Sequence, residues 1–389
     1  MIKKLGTAIS EYSVRNKLDE DIPVYSVTNE QGFCTGYFSK DVASKDRTTY
    51  KIVPYGYFAY NPSRINVGSI DWQHSEERVI VSPLYVVFGV DESVDKRYLL
   101  HYLKSDIARM LIKNYASGSV RDNLKLSTLM EFPFNFRSLE EQKKIVDVLD
   151  KIDNLIGVQK QRMDYFDRLV KSRFIELFGD LASPDCKWDR EKMIEICENP
   201  EDIKCGPFGT QLNKDEYVNT GVAVWEIPQI NSFFSTIPTH YLTEEKAKQL
   251  ESYSIKPNDI AMSRKGNVGK CAVFPSTFEP GIIHSDVLRI RVDSKRVLPL
   301  FMMHQLHYSG AVQQQIELVS SGAIMAGINV TKLKHIFVHT PPMELQQQFV
   351  SFVAQTDKSK YYSQKFLTLC RLAVNTYEQE WMKCQTLNF

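Results

Sequence analysis

SGSVRDNLKLSTLMEFP, residues 117–133, recurs later in the chain as SGAIMAGINVTKLKHI, residues 321–336. Both stretches open on Ser-Gly, carry an apolar-spaced middle and end in a short strand-like run. Each leads into a helix start, SLEEQKKIVDVLD at 138–150 and PMELQQQFVSFVA at 342–354. With Ser117-Gly118 set against Ser321-Gly322, Glu141-Gln142 falls against Leu345-Gln346 at the same offset. A segment used twice, far apart, predicts two similar modules facing a target that itself has two parts. Duplication with no such target is the alternative.

Working outward, residues 1–137 form a first module of short apolar runs separated by turns: IPVYSV at 22–27, GYFAY at 56–60 and VIVSPLYVVFGV at 79–90, each read as a strand. RYLLHYLKSDIARMLIKNY at 97–115 reads as one helix, with Leu100, Leu103, Ile107, Met110 and Leu111 on one side. Residues 138–180 differ. Ile145, Leu149, Ile152, Ile156, Met163, Phe166 and Val170 follow spacings of three and four, with Gln159 at one seam position. No proline interrupts 138–178, and Ser138 with Glu141 fits a capping box. Such a helix would be roughly 60 Å long and needs another helix against its stripe.

GDLASPDCK at 179–187 reads as a boundary. The second module, 181–340, has strand candidates AVWEIPQI at 223–230, KCAVF at 270–274 and VLRIRV at 287–292, and a helix at 298–319 matching that at 97–115. A last long helix occupies 341–389. Phe349 and Val353 begin its seam, and Leu367, Cys370, Val374, Tyr377 and Trp381 resume it. Thr356, Lys360 and Ser363 make its middle polar. The expected fold is mixed α/β: two similar globular domains joined by a pair of long antiparallel coiled-coil helices, related by a pseudo-twofold axis.

With 389 residues, 43% hydrophobic and 24% charged, the composition is that of an ordinary globular protein of two or three domains. No apolar run reaches the length of a membrane span, and seven scattered cysteines read as reduced thiols in a cytoplasmic protein. There is no Cys-x-x-Cys and no His-x-x-x-His, so nothing supports a metal site. A phosphate-binding P-loop and a glycine-rich cofactor turn are also missing. Tyr60-Asn61-Pro62-Ser63 resembles an amino-methyltransferase motif only superficially and reads as a turn after a strand. His284-Ser285-Asp286 has the residue types of a hydrolytic triad, but neighbours on one strand cannot converge on one centre. Net charge is only +1, so any basic surface for nucleic acid is local or supplied by a partner.

Two loops recur. PSRINVGSIDW at 62–72 and SRKGNVGKCAVF at 263–274 each follow a strand and an Arg, then give Asn, Val and Gly in a row. Glycine permits close backbone approach, and exposed NH groups there can meet phosphate. Arg64, Asn66 and Gly68 in the first loop, and Arg264, Lys265, Asn267 and Lys270 in the second, are candidate DNA contacts. Ser117, Ser119 and Arg121, with Ser321 and Met325, stand just before a strand and could reach a groove. Thr210 and Gln211 in GPFGTQL, and the basic patch Lys40, Lys45 and Arg47, complete the set. A glycine hairpin with solvated charges is the alternative for each loop taken alone.

In this order, twice, the segments SVTNEQGFC, KDVASKDRTTYKIVPYGYFAYNPSRINVGSI, IKCGPFGTQL, DIAMSRKGNVGKCAVFP and INVTKLKHIFVHTPPMELQQQFV, with the junction FPFNFRSLEEQKKIVDVLDKIDNLI, resemble the specificity subunit of type I restriction-modification systems. The resemblance covers essentially the whole chain. It implies two target recognition domains held apart by helical rulers, each reading half of a split double-stranded DNA sequence. It implies no catalysis and no cofactor bound by this chain. Its implied partners are two modification subunits, which methylate adenine with S-adenosylmethionine, and restriction subunits, which use ATP and magnesium; no membrane is involved. KLGTAIS at 4–10 is then the counterpart of EKMIEICE at 191–198, while GPFGTQL lacks an obvious one in the first module. A self-contained restriction-modification enzyme would need the cofactor loop or carboxylate cluster that is missing. A two-headed protein-binding adaptor would share the architecture without needing DNA.

Overall fold

A computed structural model of the chain describes residues 1–36, 47–116, 123–320 and 327–383. The chain divides into two units, residues 1–161 with 363–389, and residues 162–362.

In the first unit, β1 (Ile2–Lys4), β2 (Ile9–Glu11), β3 (Ser26–Thr28), β4 (Gly32–Cys34), β5 (Lys51–Pro54), β6 (Phe58–Tyr60), β7 (Ile70–Trp72), β8 (Arg78–Val81), β9 (Val86–Val90) and β10 (Pro133–Asn135) accompany helices α1 (Lys96–Lys104), α2 (Asp106–Ala116) and α3 (Leu126–Met130). The central sheet runs β2-β9-β6-β7, antiparallel throughout, with Phe58 opposite both Phe88 and Trp72. Successive strand side chains point to opposite faces. Phe58, Tyr60 and Phe88 therefore meet Tyr98, Leu99, Leu103, Ile112 and Leu129 of the helices. Ala59 and Val87 meet Val27, Val53, Val79 and Val81 of the β3-β4 and β5-β8 pairs on the other side. β1 pairs with β10, so the module begins and ends on one ribbon.

The second unit repeats the plan. Its strands are β11 (Arg190–Lys192), β12 (Ile203–Cys205), β13 (Val222–Trp225), β14 (His240–Leu242), β15 (Ser254–Ile255), β16 (Ile260–Ser263), β17 (Cys271–Val273), β18 (Gly281–Ile283), β19 (Val287–Ile290) and β20 (Phe337–His339). The order β12-β19-β16-β17 matches β2-β9-β6-β7 strand for strand, and β11 pairs β20 as β1 pairs β10. Ile260, Met262, Leu288 and Ile290 face Phe301, Met302, Leu306, Val312 and Leu333, from the α1–α3 counterparts that follow two shorter helices. In chain order these are α5 (Ile227–Asn231), α6 (Glu244–Gln249), α7 (Pro299–Tyr308), α8 (Gly310–Ser320) and α9 (Val330–Lys334). The opposite face carries a second sheet, β14-β13-β18-β15, with a parallel β13–β18 pair and Trp225, Phe234 and Phe274 beneath it.

Helix α4, of 40 residues (Leu139–Phe178), follows β10, and α10, of 41 (Met343–Lys383), follows β20. Each gives one half to each unit. In the first unit Ile145, Val146 and Leu149 share a core with Val374 and Tyr377. In the second, Phe174 lies 5.4 Å ring to ring from Phe349, and Asp167 pairs with Lys360 at 2.5 Å. In the second unit one helix's numbers rise as the other's fall, so the helices pack antiparallel there. The polar middle is absorbed rather than exposed. Thr356 donates to Phe352 O at 2.9 Å and Thr356 and Ser363 are buried.

Both helices start over a buried glutamine, the first of them beneath a capping box. Ser138 and Glu141 form the capping box, the Ser138 amide donating to Glu141 at 3.0 Å and the Glu141 amide to Ser138 at 3.3 Å. Beneath it, fully buried Gln142 accepts from Asp95 N at 2.7 Å and donates to Ser93 O at 2.9 Å and Arg137 O at 2.8 Å. Fully buried Gln346 accepts from Leu298 N at 2.8 Å and donates to Arg296 O at 3.2 Å and Pro341 O at 2.7 Å. The two glutamines are the pair that the sequence repeat aligns.

Several local expectations are corrected. The helix expected over 97–115 breaks at Ser105, whose hydroxyl accepts from the Ala108 amide at 3.2 Å and so starts α2 afresh; 298–319 breaks at Ser309, whose backbone carbonyl accepts from the Val312 amide at 3.1 Å. VIVSPLYVVFGV is two strands in different sheets, parted by a turn through Ser82-Pro83. AVWEIPQI leaves its strand at Trp225 and enters α5, where Pro228 suits a first helical turn. IPVYSV contributes only Ser26 and Val27 to a strand. His284-Ser285-Asp286 is the turn between β18 and β19, not part of a strand.

Candidate nucleic-acid interface

The two recurrent loops occupy the same position, joining β6 to β7 and β16 to β17. In the first unit the chain leaves β6 through an Asx turn. Asn61 Oδ1 accepts from the Ser63 amide at 3.2 Å and hydroxyl at 2.9 Å, so Tyr60-Asn61-Pro62-Ser63 is a turn. Arg64 then opens a single 3-10 turn over Ile65–Val67, closed by Gly68 at φ 91°. In the second unit the connection is shorter overall, residues 264–270 against 61–69, but its Arg-to-Gly stretch is one residue longer and closes on Gly269 at φ 85°. Both glycines lie in the left-handed region that disfavours a Cβ. Asn66 and Asn267, two residues earlier in each, are exposed.

The side chains around the two turns differ. Arg64 is exposed, and its side chain makes no hydrogen bond or ion pair among the described residues; its backbone serves the turn, the amide donating to Asn61 O at 3.0 Å and the carbonyl accepting from the Val67 and Ser69 amides at 3.2 Å. Arg264 is half-buried. Its Nε donates to Ile328 O at 3.2 Å, its Nη1 donates to Ser285 O at 3.2 Å, and its guanidinium lies 4.8 Å from the centroid of the Phe208 ring. Its backbone is held as well: the Arg264 amide donates to Asp286 O at 3.0 Å, and Arg264 O accepts from the Ile328 amide at 3.1 Å. Lys265 pairs with Asp286 at 2.9 Å. Lys270 is half-buried, its ammonium 5.6 Å from the Phe233 ring centroid. Arg264 thus gathers the 205–211 turn, the β18–β19 turn and the segment entering α9.

Thr210 and Gln211 sit in a short 3-10 turn, Gly209–Gln211, and are exposed. Gln211 Oε1 accepts from the Phe208 amide and the Tyr253 hydroxyl, both at 3.1 Å. Arg47 reaches toward Asp21 at 3.6 Å. Lys40, Lys45, Ser117, Ser119, Arg121, Ser321 and Met325 lie outside the described residues. Asn329, in the second copy of the repeated segment, is the N-cap of α9 and accepts from Lys332 N at 2.8 Å. Phe208 and Asp286 were missed in the sequence. The first adjoins a glycine turn and is half-exposed, which was a readable signal; the second follows from a turn that only the tertiary fold defines.

Among the described residues no group of three or more His, Cys, Asp or Glu side chains is placed to hold a metal ion. The described cysteines are free thiols, and burial pushes those of Cys197 (to about 12), Cys205 and Cys271 up, away from nucleophilic ionisation. No described helix is long and apolar enough to cross a membrane.

Comparison with known proteins places this geometry. The profile described as "Type I restriction modification DNA specificity domain" matches residues 3–164 and 189–365. The type I restriction enzyme MjaIX specificity subunit of Methanocaldococcus jannaschii is 32% identical over 280 residues, covering 67% of this chain and 62% of the relative. The chain spans about two thirds of the length of the curated relatives it matches. Among solved structures, a chain from a study of complex assembly and conformational transition of the type I R-M system matches with a TM-score of 0.58 at 15% identity, over 97% of this chain and 96% of that one. The type I restriction-modification S subunit from M. genitalium matches with a TM-score of 0.54 at 13% identity, over 97% and 94%. At these identities the solved structures bear on fold alone.

Proposed function

The chain belongs to the type I restriction modification DNA specificity domain family, and from that premise we propose that it is the sequence-reading, non-catalytic subunit of a type I complex. In this reading residues 1–137 and 181–340 are the two target recognition domains. Residues 138–180 and 341–389 are the helical connectors, and a pseudo-twofold axis relates the halves. Each domain reads one half of a split duplex target, and partner subunits methylate adenine or cleave. The supporting observation is the repeated turn between equivalent strands, closed twice by a left-handed glycine and flanked by Arg64 in one unit and by Arg264, Lys265 and Lys270 in the other. Backbone NH groups and cations at such turns suit phosphate and base-edge contacts.

S-adenosylmethionine, ATP and magnesium belong to the partners in this scheme. Docking of two modification subunits, and of restriction subunits, asks for exposed apolar side chains on the long helices. In the first unit Val148, Leu155 and Val158 on one helix, and Phe366, Leu369 and Leu372 on the other, are exposed at three- and seven-residue spacings.

The test has two steps. Methylated adenines are mapped in cells with and without this chain, which yields the target. Binding of the chain with its modification subunits is then titrated against that duplex at stated salt. Specific binding should exceed binding to scrambled duplex by about a thousandfold or more. Scrambling either half should weaken it, and equal affinity for every duplex would sink the proposal.

A further inference from the structure

Phe233 combines an unfavourable backbone with an exposed ring. It and Phe234 both have positive φ, 51° and 58°, a region that bulky residues rarely adopt. For Phe234 the fold supplies a reason: the ring is buried edge-on against Trp225 at 5.4 Å and Phe274 at 5.1 Å. Phe233 has no such reason, being 55% exposed. Asn or Gly would hold the same turn with less strain.

The turn presents the ring in a fixed place. The Phe234 amide donates to Gln229 O at 2.7 Å, and Gln229 Nε2 donates to Ile237 O at 3.0 Å, so the loop is tied across its base. The edge of the His307 ring supports Phe233 at 6.1 Å, and Lys270 stands 5.6 Å from its centroid. Lys270 directly follows Gly269, the residue that closes the recurrent loop. Phe208, half-exposed beneath Arg264, flanks the same loop. The loop therefore has an exposed ring on each side, and each ring is paired with a cation of the loop. A nucleic-acid strand offers the complement of that pattern, an apolar sugar or base face beside a phosphate.

We propose that Phe233 is an apolar contact to a base or deoxyribose face in the half-target read by residues 181–340, with Lys270 on the neighbouring phosphate. The proposal rests on the DNA-reading function above. It is tested with the full chain assembled with its modification subunits, by fluorescence anisotropy against the split-site duplex over a salt series. Phe233→Asn should bind about tenfold more weakly. Its salt slope should not change, since no charge is lost, and its Tm should be equal or higher, since Asn tolerates the left-handed backbone. Phe233→Tyr should keep wild-type affinity. On duplex whose corresponding half is scrambled, Phe233→Asn should match wild type. Wild-type affinity for Phe233→Asn overturns the proposal, as does a loss of binding accompanied by a lower Tm, which would assign the ring to the fold. Failure of the wild-type assembly itself to discriminate the split site overturns the DNA-reading function instead.

Discussion

Arg64 and Arg264 open equivalent turns between equivalent strands, and their surroundings differ. Arg64 stands in solvent, while Arg264 is bonded to two backbone carbonyls from separate loops and stacked on Phe208. Lys265, beside Arg264, is matched by Asp286. The repeat has kept the backbone and let the side chains part. In one unit the turn offers a cation outward; in the other the homologous cation assembles the neighbouring loops, and Lys270 and Phe233 are left at the edge. Equivalence of position is thus evidence about scaffolding and not about which atoms meet a ligand.

That contrast can be attacked from several sides. The largest effects belong to the shared scaffold. Gln142→Ala and Gln346→Ala each remove three hydrogen bonds and strand buried backbone groups, so each should lower stability by about 3 kcal/mol in denaturant titrations. Near-equal losses sharpen the picture of one device used twice, and a loss confined to one unit breaks it. Next comes the arginine pair. Arg264→Ala should destabilise the chain by about 2 kcal/mol and disturb DNA binding as a consequence. Arg64→Ala should leave the Tm unchanged while weakening binding about tenfold and reducing the salt slope by about one. An Arg264→Ala protein with wild-type Tm would erase the distinction between the loops.

The smallest effect is on pH response. Burial, reinforced by Asp106 and Asp153, pushes the Glu378 carboxyl of the first unit up to about 7, although the Asp106 amide donates to it at 3.3 Å and Arg109 lies near. Glu378 thus holds its proton more firmly folded than unfolded. Its contribution to stability is full below the ordinary glutamate range and is lost as pH rises through about 7. In the second unit burial, with His307 and Lys360, holds the His304 imidazole down to about 3. Its contribution is full above the ordinary histidine range and is lost as pH falls toward about 3. Glu378→Gln should therefore raise the Tm above neutrality, and His304→Phe should flatten the acid limb, each by roughly 2–4 °C. Coincident pH profiles for wild type and both variants would remove this difference between the units.

The long helices were legible because their information is local: an apolar seam at spacings of three and four and no proline inside, with, for the first, a Ser-x-x-Glu start whose bonds are present. The repeat offset was legible too, and it placed Gln142 opposite Gln346 without revealing that both are clamps. What stayed hidden depends on distant partners. An apolar run such as 79–90 carries no sign that Pro83 sends its halves into different sheets. Two helices looked continuous because Ser105 and Ser309 are tolerated inside helices and act as breaks only where the chain must turn. At the candidate interface, the Asn-Val-Gly turns could be read from composition. The bracing of Arg264 by Ser285 and Ile328 could not, since those residues converge only through β19 and α9.

The glutamine clamps hydrogen-bond only to main chain. Each joins its helix to an amide and two carbonyls, atoms that every amino acid brings except the amide of proline. The joint between rod and head is therefore blind to the identity of the residues it grips. A head of different sequence that keeps the path of those few peptide groups would seat on the same rod. Such a head could acquire a new preference by drift or by wholesale exchange while the connector stayed as it is.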